Sequence, residues 1–442
     1  MTIAVPIEQS LSQSPPPPEN LRDTGLSAET VIELLLKTLH VQGARTGQQL
    51  TDSLCLPFDI VDEQLLHLQS RRFIEVVRTH GPARGNYVFD LSGPGRDRAR
   101  AALEASLYVG AAPVPLSVYR QWIDRQSVRS LRVGRERIRN GFSHLIIAPE
   151  ILESLGPAIN SASSLFLYGD PGNGKTVISE SIATLLGGDV YIPQSIDIDG
   201  QVMILFDPVH HVPVAETAPT EDGVWLRSAI PYDRRFVRIR RPVIFVGGEL
   251  SLEQLDLQYD PFAKTYQAPF QLKACGGVLI IDDFGRQLVP PRDLLNRWIV
   301  PLEKRVDFLT LHTGIKFPVP FDCLLIFATN LNPGDLVDEA FLRRIQYKIN
   351  VDGPDRPAYE EIFRMVCAAK GIAYDEGAID YIYNEYYHRR QIPPRACHPR
   401  DIVDHLLHVA AYEDIAPVLS RGMLEQSCRS YFMVMAQHAM GE

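Results

Sequence analysis

The chain has 442 residues, 45% of them hydrophobic and 22% charged, a composition typical of a soluble protein with two or three domains. Its formal net charge of −10 argues against a general nucleic-acid binder or a membrane-surface protein. Six scattered cysteines without a C-x-x-C pair, no apolar run near the roughly 20 residues of a membrane span, and no recognisable signal peptide predict a cytoplasmic protein with reduced thiols.

The first quarter of the sequence is predicted to form a tail and a small α+β domain. Residues 1–23 are polar and contain four consecutive prolines, which predicts a disordered Pro-rich tail. Over residues 24–110, three helical segments with capping residues precede two strands, 73–77 and 87–91, that flank a turn rich in Gly and Pro. This order of helices and hairpin resembles a winged-helix domain.

The charges of this small domain indicate which partner it is expected to bind. Its would-be recognition helix begins with three acids, Asp59, Asp62 and Glu63, which would repel phosphate groups. Four arginines around the wing favour DNA instead: Arg71, Arg72, Arg78 and Arg84. We expect a protein substrate or adaptor to bind here, with nucleic acid as the less favoured alternative.

Three further regions complete the expected organisation. Residues 111–144 contain seven arginines and are predicted to form a solvated helical linker, or else a face that docks on an acidic partner. An α/β core is expected over residues 145–352. It should carry an insertion near 190–270, because its two best motifs lie further apart than two βαβ units require. Apolar residues at helical spacing over 353–442 predict a helical lid.

The most specific motif fits the phosphate-binding pattern G-x-x-x-x-G-K-[ST] and comprises Gly169, Asp170, Pro171, Gly172, Asn173, Gly174, Lys175 and Thr176. It follows an apolar strand at 165–168 and precedes a helical pattern at 177–186, which aims a helix N-terminus at the phosphates. Lys175 is expected to face solvent until it reaches the β- and γ-phosphates, and the Thr176 hydroxyl to bind Mg²⁺. The sequence therefore predicts a nucleotide site.

Two later strands end in polar residues that suit the same site. The strand 278–281 is followed by Asp282 and Asp283, and the strand 324–329 is followed by Asn330. Open α/β sheets place ligands at these carboxyl ends. Asp282 is expected to bind Mg²⁺, Asp283 to orient or deprotonate the attacking water, and Asn330 to hydrogen-bond that water or the γ-phosphate.

Hairpin and arginine motifs surround the Asn330 strand. Residues 307–319 predict a hairpin directly before it, and the helical segment 338–345 carries Arg343 and Arg344 near its end. Pro399 and Arg400 open a helix of the expected lid, from which Arg400 could reach the γ-phosphate.

The order of these motifs resembles the AAA+ ATPases over roughly residues 140–440. The resemblance implies an α/β fold, with a P-loop AAA+ core built on a parallel sheet and a helical lid. The hairpin before the Asn330 strand points to the branch that includes the MoxR-like proteins and the enhancer-dependent transcription activators. The implied assignments are Walker A at 169–176, Walker B at Asp282 and Asp283, sensor 1 at Asn330, the arginine finger at Arg344 with Arg343 as second choice, and sensor 2 at Arg400.

The resemblance also implies an activity and an assembly. ATP and Mg²⁺ would be the cofactors of an ATP hydrolase. The finger of this family acts on a neighbour's ATP, so a homo-oligomeric ring, with a hexamer as the expected size, is the implied assembly. Remodelling of a protein partner is the implied purpose, chaperone-like and related to pilus assembly or secretion. Two alternatives remain: a DNA-directed AAA+ transcription or replication regulator, and a slow-turnover nucleotide-binding scaffold, since Asp283 stands where the family usually has Glu.

Overall fold

The computed structural model describes residues 14–215, 232–336 and 342–438. The described residues form two compact units, each assembled from separate stretches of sequence. The first unit takes its residues from Met1–Leu131, Leu186–Leu279 and Asp293–Leu324. The second unit takes them from Arg132–Leu185, Ile280–Arg292 and Leu325–Glu442.

The first unit begins with a winged-helix-like arrangement of helices and a three-stranded antiparallel sheet, in the order β1-β3-β2. Its elements are α1 Leu21–Thr24, α2 Ala28–Gln42, β1 Arg45–Thr46, α3 Gly47–Leu54, α4 Phe58–Ser70, β2 Ile74–Thr79, β3 Tyr87–Leu91 and α5 Gly93–Ala105. The predicted capping box is present at the start of α3, where the Thr46 and Gln49 side chains bond each other's backbone. The expected disorder over 1–23 does not hold for residues 14–23, which include part of α1; residues 1–13 lie outside the described residues.

The segment expected to be a solvated linker is instead folded into the first unit up to residue 131. Strand β4, Val114–Pro115, pairs with β7, Ser195–Ile198, and α6, Leu116–Arg125, follows directly. Helix α6 buries Tyr119, Trp122 and Ile123. Of its two arginines, Arg120 is half-buried and donates to the Pro318 oxygen, and Arg125 is exposed, so counting arginines gave the wrong expectation for this part.

The expected insertion also belongs to the first unit and consists mainly of short strands. Together with β4, strands of this region form a five-stranded sheet in the order β11-β12-β8-β7-β4, and a β6-β9 pair lies in the same region. The expected hairpin follows later in the chain as β14-β15. The elements between residues 189 and 320 that have not yet been given a range are β6 Asp189–Pro193, β8 Gln201–Ile204, β9 Phe236–Arg240, β10 Val243–Val246, β11 Gln258–Asp260, β12 Thr265–Gln267, α10 Phe270–Lys273, β13 Val278–Ile281, α11 Pro291–Lys304, β14 Val306–Thr310 and β15 Lys316–Pro320. Residues 216–231 of the expected insertion lie outside the described residues.

A second five-stranded sheet has the order β10-β13-β16-β5-β17, and both β16 and β17 pair with β5 in parallel. The fold class is α/β, as predicted. Around these strands, the second unit contributes α7 Arg135–Gly141, α8 Pro149–Ser161, β5 Ser164–Tyr168, α9 Lys175–Leu186, β16 Leu324–Thr329, α12 Pro333–Leu336 and β17 Tyr347–Asn350. Strand β16 is buried along its whole length, as a parallel strand covered on both faces should be.

Helices follow β17 and form the expected lid. They are α13 Arg356–Lys370, α14 Glu376–Ile382, a π-helical turn Tyr383–His388, α15 His398–Glu413 and α16 Arg421–His438. A buried hydrogen-bond chain runs through their core, from the Tyr359 hydroxyl to the Tyr387 hydroxyl at 2.7 Å and on to Nδ1 of His398 at 2.9 Å. None of the helices within the described residues is long and apolar enough to cross a membrane.

Candidate nucleotide-binding site

The glycine motif forms a tight loop between β5 and α9. Gly169, Gly172 and Gly174 all have positive φ angles, 132°, 85° and 85°, which glycine adopts without the steric cost that a Cβ imposes. The loop ends where α9 begins, at Lys175, so backbone N–H groups at the helix start are available to an anion. This is the strand, loop and helix order that the sequence predicted.

Lys175 is buried, whereas the sequence predicted that it would face solvent. Its Nζ donates to the backbone oxygens of Gly169 and Asp170, at 2.7 and 2.8 Å, and the residue is only 7% exposed. Burial lowers the pKa of Lys175, and the neighbouring Asp282 opposes that shift. The ammonium group of Lys175 therefore contacts the backbone of the phosphate loop itself.

The acidic pair meets the loop as the motif spacing predicted. The Thr176 hydroxyl donates to Oδ2 of Asp282 at 2.7 Å. Mg²⁺ prefers oxygen ligands, keeps several waters and is usually held by one or two protein groups beside substrate phosphates. A hydroxyl and a carboxylate in contact fit that requirement. Within the residues that the structure describes, no cluster of three or more His, Cys, Asp or Glu forms a separate metal cage.

Asp283 and Asn330 lie together at the ends of their strands. Nδ2 of Asn330 donates to Oδ1 of Asp283 at 3.3 Å, and Asp283 is exposed. Two bonds fix the strand ends: the Phe284 N–H donates to the Ala328 oxygen, and the Thr329 hydroxyl donates to the Phe284 oxygen. A carboxylate and an amide at this edge can orient a water molecule.

The backbone of Arg344 lies at the opposite end of β5 from the phosphate loop. The Ser164 hydroxyl, at the first residue of β5, donates to the backbone oxygen of Arg344 at 3.4 Å. The phosphate loop begins after Tyr168, the last residue of β5, which is roughly 13 Å further along the strand at about 3.3 Å per residue. Residues 338–341 of the expected helix lie outside the described residues.

The structure does not bring Arg400 to the phosphate loop. Its side chain is 65% exposed and forms an ion pair with Asp401, with 3.0 Å between Nη2 and Oδ1. A preceding segment of the lid touches the loop instead: the Cys397 N–H donates to the Gly172 oxygen at 2.9 Å, and the Ala396 N–H to Oδ1 of Asn173 at 3.3 Å. No sequence motif marks this contact.

A cavity of about 730 Å³ adjoins the phosphate loop, and motif analysis gave no sign of it. Its wall comes from the segment 146–151 at the start of α8, the end of β17 at 348–351, and Asn173 of the loop. Apolar side chains of Ile178 and Ala396 also line it. Charged residues line it too, among them Lys348 and Asp352. Its size and its mix of apolar and polar lining residues suit the base and sugar of a nucleotide.

The comparisons with known proteins add little to this geometry. A family model described as a domain of unknown function, DUF8689, matches residues 355–430, which cover the first three helices of the lid and part of α16. No curated protein matches the sequence.

Several solved structures resemble parts of the chain. NtrX from Brucella abortus is 14% identical, with 74% of this chain and 60% of that chain covered and a TM-score of 0.36. The RuvB Holliday junction branch migration motor from Thermotoga maritima is 13% identical, with 67% of this chain and 70% of that chain covered and a TM-score of 0.33.

A MarR family regulator from Neisseria meningitidis is 23% identical over 17% of this chain, with a TM-score of 0.16. The match spans about half the length of that regulator, 51%. At such TM-scores, the fold and the site rest on this chain's own geometry.

Proposed function

We propose that this chain is an ATP hydrolase of the AAA+ type that uses Mg²⁺. The observation that carries the proposal is the single cluster in which Thr176 contacts Asp282 while Asn330 contacts Asp283, beside the phosphate loop. A nucleoside triphosphate would bind with its phosphates at the loop and with its base and sugar in the adjoining cavity. Thr176 and Asp282 would hold Mg²⁺, which neutralises charge on the β- and γ-phosphates.

The chain's own residues have distinct roles in this reaction. Lys175 moves from the loop oxygens to the phosphates, and so replaces two contacts with neutral carbonyl oxygens by contacts with anionic phosphate oxygens. Asp283 orients the attacking water and accepts its proton, while Asn330 holds the carboxylate and the water in position. Stabilisation of the developing phosphate charge is where most phosphoryl-transfer catalysis arises.

Arg344, with Arg343 as the second choice, is proposed to act on the ATP of a neighbouring copy in a homo-oligomeric ring, with a hexamer as the expected size. Support comes from the position of its backbone at the opposite end of β5 from its own phosphate loop. An arginine placed there can act on the phosphates of a neighbouring copy. Arg400 is proposed as a further phosphate contact once its side chain leaves Asp401.

The proposed use of the energy is chaperone-like remodelling of a protein partner in the cytoplasm, with pilus assembly or secretion as the expected setting. The winged-helix-like domain would receive the partner. Helix α4 exposes Asp59 and Glu63, and one arginine of the wing, Arg84, is neutralised by Asp62 at 2.8 Å. These acidic features favour a partner protein with a basic surface over DNA as the ligand of this domain.

Asp283 supports one other candidate, a nucleotide-binding scaffold with little turnover. The Asp side chain is one methylene shorter than that of Glu, and a displacement of the catalytic carboxylate by about 1 Å can cost ~100-fold in rate.

The test of the proposed function is Mg²⁺-dependent phosphate release by the wild type, Lys175→Ala and a matched control, Lys370→Ala. Lys370 is an exposed lysine of the lid paired with Asp404. We expect wild-type release to need Mg²⁺, Lys175→Ala to fall to background, and Lys370→Ala to match the wild type. Equal release by Lys175→Ala and the wild type would remove the assignment.

A further inference from the structure

The lid loop, residues 393–397, lies directly on the phosphate loop. Besides its two hydrogen bonds to the phosphate loop, it packs so closely that a Cβ at Gly172 would lie 2.5 Å from Sγ of Cys397. The same Cβ would lie 3.7 Å from Cδ of Arg395. The side chain of Arg395 therefore runs alongside the loop that is proposed to hold the phosphates.

Arg395 has no anionic partner among the residues that the structure describes. Its Nε is buried and makes no hydrogen bond. By contrast, other lid arginines form ion pairs: Arg400 with Asp401, and Arg389 with Glu385 at 2.8 Å. A guanidinium that is partly withdrawn from water without a partner is costly, because its donors lose hydration and gain nothing in return.

Arg395 and Lys175 both lie against the phosphate loop. The Nζ of Lys175 donates to the backbone oxygens of Gly169 and Asp170, and the Arg395 side chain runs beside Gly172. Two like charges at one loop repel each other, and an anion bound between them offsets that repulsion. Phosphate oxygens supply such an anion, and guanidinium groups bind them bidentately.

We propose that Arg395, a residue of the lid outside the recognised motifs, binds the phosphate groups of the nucleotide together with Lys175. The inference rests on the proposed function, since it concerns the same site. It also links the lid to the bound nucleotide, because residues 396 and 397 already hold the phosphate loop through backbone bonds. Loss of a phosphate would weaken that link and so release the lid.

The test is equilibrium binding of Mg·ATP to full-length Arg395→Ala, Arg395→Lys and Arg389→Ala. Arg389 is the matched control, since it is a 75% exposed arginine of the same lid. Removal of one charge-assisted contact should weaken ATP binding about 10- to 100-fold in Arg395→Ala. Arg395→Lys should bind with an affinity between those of Arg395→Ala and the wild type, because it keeps the charge but loses the bidentate geometry, and Arg389→Ala should bind like the wild type.

A second readout excludes a purely structural role. The melting temperature of Arg395→Ala without nucleotide should be no lower than that of the wild type, because the unpartnered guanidinium is costly, while its upward shift on adding ATP should shrink. The proposal is overturned if Arg395→Ala binds ATP as tightly as the wild type while Lys175→Ala does not. It is equally overturned if Arg400→Ala loses the affinity and Arg395→Ala keeps it. A wild type that binds no ATP would contradict the proposed function itself, and this inference with it.

Discussion

Asp283 has a backbone φ of 48°, in the left-handed region that residues other than glycine seldom occupy. Its side chain meets Asn330, and its N–H donates to Oδ1 of Asp282 at 2.9 Å. Such conformations persist where the surroundings hold them in place, and they concentrate at functional sites. The carboxylate is thus aimed by its backbone as well as by its neighbours.

Asp283→Asn is expected to bind Mg·ATP like the wild type but to hydrolyse it about 10²- to 10⁴-fold more slowly, the usual contribution of a general base. Asparagine tolerates the same backbone conformation, and Asp282 still holds the metal, so only the proton acceptor is lost. ATP affinity and phosphate release should be measured on one preparation. Wild-type release by this variant would show that another group activates the water.

At the scale of helices and strands, local signals predicted local structure well. The strand β5, the phosphate loop and α9 were evident because the glycine pattern and its flanking apolar runs lie in one short stretch. The pairing of β4 with β7, some 80 residues later, leaves no such local sign. Arg395 and the base-sized cavity were missed for the same reason, since loops without a motif create them.

Helix α6 provides a test of the corrected fold of the supposed linker. Trp122 is 5% exposed and packs edge-on against Phe236, with 6.3 Å between ring centroids. Trp122→Ala should lower the free energy of unfolding by about 3–5 kcal/mol, because a large cavity replaces the ring. Gln121→Ala, at an exposed position of the same helix, should change it little. Denaturant unfolding measures both, and equal effects would restore the solvated-linker interpretation.

The buried hydrogen-bond chain of the lid predicts a pH dependence of stability. Burial, with a smaller contribution from Arg395, lowers the pKa of His398 to about 4, while Asp401 opposes the shift. Tyr387 and Tyr431 are the other titratable groups that face the ring. The folded protein keeps this histidine neutral, whereas the unfolded chain takes up a proton near pH 6.5.

The stabilisation from neutral His398 is therefore complete above pH 6.5 and is lost as the pH falls towards 4. We expect the free energy of unfolding of the wild type to drop by on the order of 2–3 kcal/mol more than that of His398→Asn across this window. Urea unfolding at a series of pH values measures the difference. Parallel curves for the two proteins would contradict a neutral buried histidine.

At the scale of the whole molecule, the proposal that Arg344 acts on a neighbour's ATP implies an active site shared between two copies. Arg344→Ala should bind ATP nearly normally yet hydrolyse it poorly, since arginine fingers contribute about 10³- to 10⁵-fold in rate. Mixing it with Lys175→Ala should restore some activity, because the latter lends an intact Arg344 to an intact phosphate loop.

The mixing experiment needs two controls. Light scattering must confirm oligomers, and the recovered activity must depend on protein concentration. Absence of recovery at every mixing ratio, with oligomers present, would count against a shared site. Full activity of Arg344→Ala alone would move the role to Arg343 or remove it.

The proposed function requires that this chain cleave ATP and not only bind it. A single-turnover experiment distinguishes the two, with wild-type protein in excess over radiolabelled ATP and Mg²⁺ present. We expect the bound ATP to become ADP and phosphate in the wild type and to stay intact in Asp283→Asn. Bound but uncleaved ATP in the wild type, at protein concentrations where oligomers form, would contradict the hydrolase and favour the scaffold.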